Sequence, residues 1–339
     1  MRRAMRGAMR TEPPAAGVVA HVRPPAKLNL FLELLARRED GYHEIDTVMV
    51  PIDLCDQMHV RRSRESGIHI DCQWLPSAPI IANRLGLPGA SVEARRLLSI
   101  PEQEDNLVHR ALQRFIETFD VAGGFECELG KGIPAGAGMG GASSDAASAL
   151  RCAAALCGIP HDSRELWAIA AEIGSDVPFF LGLGGGDFTT AARATGRGEV
   201  LEPVCLGSCL YFVIVFPGVS LSTAQVYANS QVPPVPRNPS RLIGSLESGH
   251  LANLGTEMTN RLTEPAKKLA PQISEILQSL WRVGLRRCQL TGSGSACFAI
   301  AGSVSEARRC AARARAVLEP GAIVMTTRST YVPAFVDMT

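Results

Sequence analysis

Between residues 125 and 157 the chain reads FECELGKGIPAGAGMGGASSDAASALRCAAALC: an alternating segment, a glycine-rich loop and an alanine-rich run in direct succession. The alternation over 125–134 predicts a strand, and the alanine-rich run over 143–157, stopped by Gly158-Ile159-Pro160, predicts a helix. The link between them, Pro134 to Ser144, carries Gly136, Gly138, Gly140 and Gly141, so its backbone can take positive φ and approach a ligand closely. A helix that begins at Ser143 or Ser144, with Ser143, Ser144 or Asp145 as its cap, turns free N–H groups and its positive dipole end toward this loop. Such an arrangement is an anion cradle. It is not a GxxxxGK[ST] loop, because the lysine is missing. The GxGxxG string at 136–141 lacks the acidic residue about 20 positions on that a dinucleotide site requires. A glycine turn that serves only close helix packing would have the same sequence.

Bulk properties narrow the partners. At 339 residues the chain exceeds one ordinary core, which predicts two domains. A net charge of +1, with no basic stripe beyond the first ten residues, argues against nucleic acid as partner. No run approaches the roughly 18 apolar residues of a membrane span, so no membrane association is expected. MRRAMRGAMR leads into Thr-Glu-Pro-Pro and not into an apolar stretch, so residues 1–20 are expected to be a disordered extension of a cytoplasmic protein. The ten cysteines form no CxxC pair and the seven histidines no HExxH, which predicts reduced structural thiols and no zinc-type metal site.

Elsewhere, AKLNLFLELL (26–35) reads as a strand interrupted by Lys27, Asn29 and Glu33, and 41–60 and 68–74 as further strands. Residues 75–104, rich in Pro, Gly, Ser and Arg, read as a surface insertion. Helices are predicted over 105–119, capped by Asp105 or Asn106, and over 163–173. GLGGGD at 182–187 reads as flexible, 209–218 as a buried strand and 228–250 as a linker, before alternating helix and strand to the end. Expected boundaries are 1–20, 21–200 and 201–339. Two residues stand out chemically: Asp176 in GSDVPFF, a carboxylate in apolar surroundings that needs a partner to stay charged, and Lys27, a lysine in an apolar strand. Alone, each also fits a structural role, as a turn aspartate and a snorkelling edge lysine.

PPAKLNL, IPAGAGMGGASSDAA and LTGSGSACFAI occur in the order of the three motifs of the GHMP kinase superfamily, which they resemble, and the likeness runs from about residue 24 to 330. GYHEIDT, with DNLVHRA, IGSDVPFFL and FPGVSLST, resembles the branch that phosphorylates a cytidine-diphosphate-linked methylerythritol in the non-mevalonate route to isoprenoids. The resemblance implies a two-domain α+β fold, with an N-terminal ribosomal-protein-S5-like domain and a C-terminal ferredoxin-like α/β sandwich. It also implies ATP as co-substrate, Mg²⁺, a small-molecule substrate and a monomer or weak homodimer.

By that resemblance Lys27 and Asp176 match the catalytic pair. Asn29, Tyr42, His43, Thr223 and Tyr227 match substrate contacts, Tyr42 and His43 at the cytidine. Pro134, Ala135, Gly136, Ala137, Gly138, Met139, Gly140, Gly141, Ala142, Ser143 and Ser144 match the triphosphate loop. Asn106 and Lys131 match contacts flanking the adenine. The loop departs from the family in carrying Ala135, Ala137 and Ala142 where glycine is frequent, and segment 61–104 is longer than usual. Another GHMP kinase acting on mevalonate or homoserine is a rival reading, opposed by GYHE. A catalytically silent nucleotide sensor is a second, opposed by Lys27 and Asp176.

Overall fold

The structure, a computed structural model, describes residues 17–88, 91–101, 103–182, 188–251, 254–318, 321–333 and 336–339. Residues 1–16 of the expected extension and 183–187 of the expected flexible stretch lie outside the described residues. The end of that extension is structured: Val19–Val22 is a strand paired with Gln57–Ser63 on one side and Asp337–Met338 on the other. Among the described residues no helix is long and apolar enough to cross a membrane.

Three larger sheets organise an α+β fold, and Phe188–Thr189 pairs with Val332–Pro333 in a small fourth one. The first adds Gly124–Lys131 to Gln57–Ser63 and then Gly67–Trp74, this last pair parallel. The second runs Thr259–Asn260, Pro25–Arg37, His43–Cys55, Ala192–Gly196, Val200–Pro203, antiparallel except at its first pair. The third, Cys288–Leu290, Cys297–Ala301, Tyr211–Phe216, Ile323–Arg328, is antiparallel throughout and is backed by the helices Gln272–Arg282 and Val304–Val317. The expected boundary at 200 falls at the start of the Val200–Pro203 strand, which pairs back onto Ala192–Gly196, so strand pairing carries the first half to Pro203.

The helix Gly141–Cys157 is buried nearly all round, against the helix Leu107–Phe119 and against strands of both five-stranded sheets. Burial on every face demands small side chains, and Ala146, Ala147, Ala149, Ala153 and Ala154 provide them. The helix starts earlier than the sequence predicts. Gly140, at φ +73°, is its cap, without a side-chain cap bond, and Ser143, Ser144 and Asp145 lie inside the helix. A left-handed glycine ends the loop and no side chain closes off the first N–H groups, which stay open toward the cleft.

Two other expectations need correction. Within 75–104, Ala78–Arg84 and Val92–Leu97 are helices, and Leu85 and Leu97 enter the same core cluster as Leu28 and Phe212. Within 228–250, Ser240–Ser248 is a helix that buries Leu242 and Leu246. In both, loop-like composition hides a few apolar positions that only long-range packing identifies.

The Pro25–Arg37 strand is buried at its first ten residues. Its register against His43–Cys55 shifts between Asn29 and Phe31. Leu28 and Leu30 share a core cluster with Phe31, while Leu32 and Leu34 join another, so the bulge inverts the alternation. Before the bulge, Lys27 and Asn29 share the opposite face, two residues apart. That face is the floor of the cleft.

Candidate active site

Lys27 is 4% exposed, which rules out a snorkelling edge lysine. Its Nζ donates to Asn29 Oδ1 at 2.6 Å and lies 3.3 Å from Asp176 Oδ2. A buried ammonium requires such partners. Asn29 is locked in turn: its Nδ2 donates to Thr47 Oγ1 at 2.9 Å, and its backbone N–H to Thr291 Oγ1 at 3.1 Å. Asp176 precedes the short helix Val177–Leu181 but makes no cap bond, so its carboxylate is left to face Lys27 and the cleft.

The glycine loop closes over this pair. The backbone N–H of Lys27 donates to Met139 O at 2.9 Å. A Cβ on Gly140 would stand 2.9 Å from the Phe180 ring and 3.2 Å from Lys27 Cε, so glycine admits both side chains. Ala137 and Met139 bury their side chains in the core and offer the cleft backbone, while Ala135 and Gly136 are exposed to it. Pro134, Gly138, Gly141, Ala142 and Ser143 also line the cleft. Ser144 does not: with the helix starting at Gly141 it is turned inside, fully buried, its hydroxyl without a hydrogen-bond partner among the described residues.

The loop of the third motif interlocks with the glycine loop of the second. Ala296 N–H donates to Ala137 O at 3.1 Å. A Cβ on Gly138 would fall 2.3 Å from Thr291 O, and the residue sits at φ +76°. Gly138→Ala thus meets backbone and a strained φ together. It is expected to cost about 2 kcal/mol or more in chemical denaturation and to raise the KM for ATP about tenfold or more.

Lys131, expected at the adenine, lines the cleft but is bound by two buried carboxylates, Asp56 and Asp145. Burial opposes its charge, yet Asp145 and Asp56 together push its pKa upward. Asp145 is pushed up to about 8, chiefly by burial, with Lys131 opposing and Asp56 adding to the rise. Asp56 Oδ1 also accepts the N–H groups of Gly132 at 2.5 Å and Ile133 at 2.8 Å, which fastens the entry to the loop. Neither aspartate was expected at the site: Asp145 looks like a helix cap in sequence, and Asp56 carries no local signal. Asn106 caps the Leu107–Phe119 helix, accepting from Val108 N–H at 2.9 Å, and lines the same end of the cleft.

At the opposite end the His43 and Tyr227 rings are 5.3 Å apart, and Arg197 lies 5.3 Å from the ring of the half-exposed Tyr42. Burial, and then Arg37, push the His43 pKa down, which favours the neutral ring. Burial and the Asp176 charge push the Tyr227 phenol up, so it stays a donor. Thr223 Oγ1 is 2.9 Å from Ser293 Oγ and joins this wall to the third motif. One continuous cavity of about 1170 Å³ holds both ends, with Lys27 and Asp176 in its lining. That is room for two ligands.

Comparison with known proteins points to one family. The family model for the GHMP kinases N terminal domain matches residues 106–185, and that for the GHMP kinases C terminal matches 242–319. The 4-diphosphocytidyl-2-C-methyl-D-erythritol kinase of Rhodopirellula baltica is 45% identical over 319 residues, 92% of this chain and 95% of the relative. A crystal structure of 4-(cytidine 5'-diphospho)-2C-methyl-D-erythritol kinase superposes with a TM-score of 0.69 at 33% identity, covering 91% of this chain and 99% of the other. The homoserine kinase of Cytophaga hutchinsonii, 17% identical, superposes with a TM-score of 0.68 over 96% of this chain and 98% of that one, a likeness of fold alone.

Proposed function

The chain belongs to the 4-diphosphocytidyl-2-C-methyl-D-erythritol kinases of the GHMP superfamily, and from that premise we propose how its residues move the γ-phosphoryl group of ATP to the substrate 2-hydroxyl. The observation that carries the assignment is the Lys27–Asp176 pair, 3.3 Å apart beside the glycine loop and inside the one cavity that also holds Tyr42, His43 and Tyr227.

Asp176 orients the 2-hydroxyl and accepts its proton. Lys27, held by Asn29, balances the carboxylate before transfer and the alkoxide as it develops. The open N–H groups at the start of the Gly141–Cys157 helix and the glycine backbone of the loop hold the transferring phosphates in line with the hydroxyl, and positioning of this kind supplies much of the rate in phosphoryl transfer. Tyr42, His43 and Tyr227 hold the cytidine by stacking and ring hydrogen bonds, and Thr223 borders the sugar-alcohol. The oxygen donors beside the loop, Ser143 and Asp176, suit a hard cation and would hold Mg²⁺, which would supply positive charge against the phosphates.

An ADP-release assay over a panel of alcohols tests the assignment. Turnover on the cytidyl substrate should exceed that on mevalonate or homoserine by about 10³-fold or more in kcat/KM, because an unfilled cytidine wall leaves polar groups unpaired. Comparable rates on either competitor would reject the substrate assignment.

A further inference from the structure

The strand that carries Lys27 and Asn29 also carries a charge that the phosphoryl transfer does not use. Glu33 is fully buried and lines no part of the cavity. Arg261 Nε and Nη2 donate to its Oε1 and Oε2, each at 2.6 Å, in the fork geometry of a guanidinium on a carboxylate. The backbone N–H of Leu34 donates to Oε1 at 3.0 Å, and that of Arg237 to Oε2 at 3.2 Å. Burial opposes the charge, but Arg261 and the N–H groups of Arg237 and Leu34 outweigh it and hold the Glu33 pKa below its ordinary value. A buried ion pair adds little net stability over apolar residues of the same volume, so what this one fixes matters more than that it is paired.

Two of its partners lead to the substrate end of the cleft. Arg237 belongs to 229–239, the stretch between the helices Thr223–Ala228 and Ser240–Ser248, which forms neither helix nor strand. Ser230 and Val232 of this stretch line the cavity, and Ser230 N–H donates to Tyr227 O at 3.0 Å. Pro233, Pro234 and Pro236 have no N–H to give, and the Arg237 N–H fastens the stretch to Glu33. On the other side, Arg261 donates its own N–H to Leu32 O at 2.8 Å. It follows Asn260, whose Nδ2 donates to Leu290 O at 2.9 Å and Gly292 O at 2.8 Å. One buried carboxylate thereby joins the strand of Lys27, the wall that follows Tyr227 and the turn that holds the loop of the third motif.

We propose that Glu33 and Arg261 are positioning residues that hold the 230–232 wall in place for the cytidyl substrate without touching it. This role rests on the reading that Thr223 and Tyr227 face that substrate. A wall fixed before binding does not have to be ordered by the ligand, so loosening it weakens binding and leaves the transfer run by Lys27 and Asp176 alone. Steady-state kinetics of the full-length protein, with calorimetric ADP titration, tests this. Arg261→Gln should raise the KM for the cytidyl substrate about tenfold, with kcat and ADP affinity within about twofold of the parent. Arg261→Lys keeps the charge but not the fork and should raise KM less. Arg237→Pro removes the N–H bonded to Glu33 and should raise KM by about three- to tenfold, whereas Arg237→Ala keeps that N–H and should match the parent. Should Arg261→Gln fail to fold, Arg261→Lys and Arg237→Pro decide the matter. A parent-like KM in Arg237→Pro overturns the proposal, as does a fall in kcat at unchanged KM in the Arg261 variants, which marks fewer folded molecules. A parent protein that does not turn over the cytidyl substrate rejects the function and this role together, while parent turnover with unshifted variants rejects this role alone.

Discussion

Replacing Asp176 by Asn is expected to lower kcat on the cytidyl substrate by about 10²- to 10⁴-fold while ADP binding changes little. The substitution keeps the shape of the side chain and an oxygen toward Lys27, which stands 3.3 Å away. It removes the group that takes the proton and leaves the Lys27 ammonium, only 4% exposed, facing a neutral amide. The loss corresponds to about 3–5 kcal/mol of transition-state stabilisation at about 1.4 kcal/mol per decade. Because Asp176 makes no helix-cap bond, the stability lost is confined to the countercharge of the buried Lys27, about 1–3 kcal/mol in chemical denaturation. Steady-state kinetics with calorimetric ADP titration separates the two effects. A kcat within about tenfold of the parent removes Asp176 from the chemistry, and a matching loss of ADP affinity makes it a phosphate-site residue instead.

Lys131→Met should be the most destabilising change near the cleft, by about 3–5 kcal/mol in chemical denaturation. Lys131 sits between Asp56 and Asp145, which are 0% and 3% exposed, and removing it leaves two buried carboxyl groups facing each other without their shared cation. Asp145→Asn should cost less than about 1 kcal/mol at neutral pH, since the amide keeps an acceptor for Lys131 and is uncharged, like the protonated carboxyl it replaces. The two variants therefore separate an unpaired charge from a lost contact. A pH dependence follows with a definite sign. The Asp145 pKa is about 8 in the folded protein. That lies above the ordinary carboxylate value of about 3.9, so the folded state holds this proton more tightly than the unfolded one. The stabilisation is complete below about pH 4 and is lost as pH rises toward 8, so Asp145→Asn should gain on the parent across that interval. A constant difference between the two proteins from pH 5 to 8 would contradict this assignment.

The parts legible in the sequence are those with a local cause. Alternation marks Gly124–Lys131, alanine content and Gly158 mark the Gly141–Cys157 helix, and Asn106 caps Leu107–Phe119 as its position suggests. The illegible parts have distant causes. Segment 75–104 looks like a surface insertion until Leu85 and Leu97 are seen in the core. Ser143, Ser144 and Asp145 resemble capping residues, but Gly140 takes that place because the loop arrives with positive φ.

Residue order alone carries the glycine-rich loop, the two-residue spacing that puts Lys27 and Asn29 on one face, and the motif order that points to the family. These depend on neighbours along the chain, whose backbone geometry and periodicity are short-ranged. Which charges meet is a matter of long-range packing. It set Asn29 against Thr291, 262 residues away, joined Lys27 to Asp176, and assigned Lys131 to two aspartates from separate elements. Burial makes an unpaired charge costly, so the partner of each buried group is chosen by the packed fold and not by its neighbours in sequence.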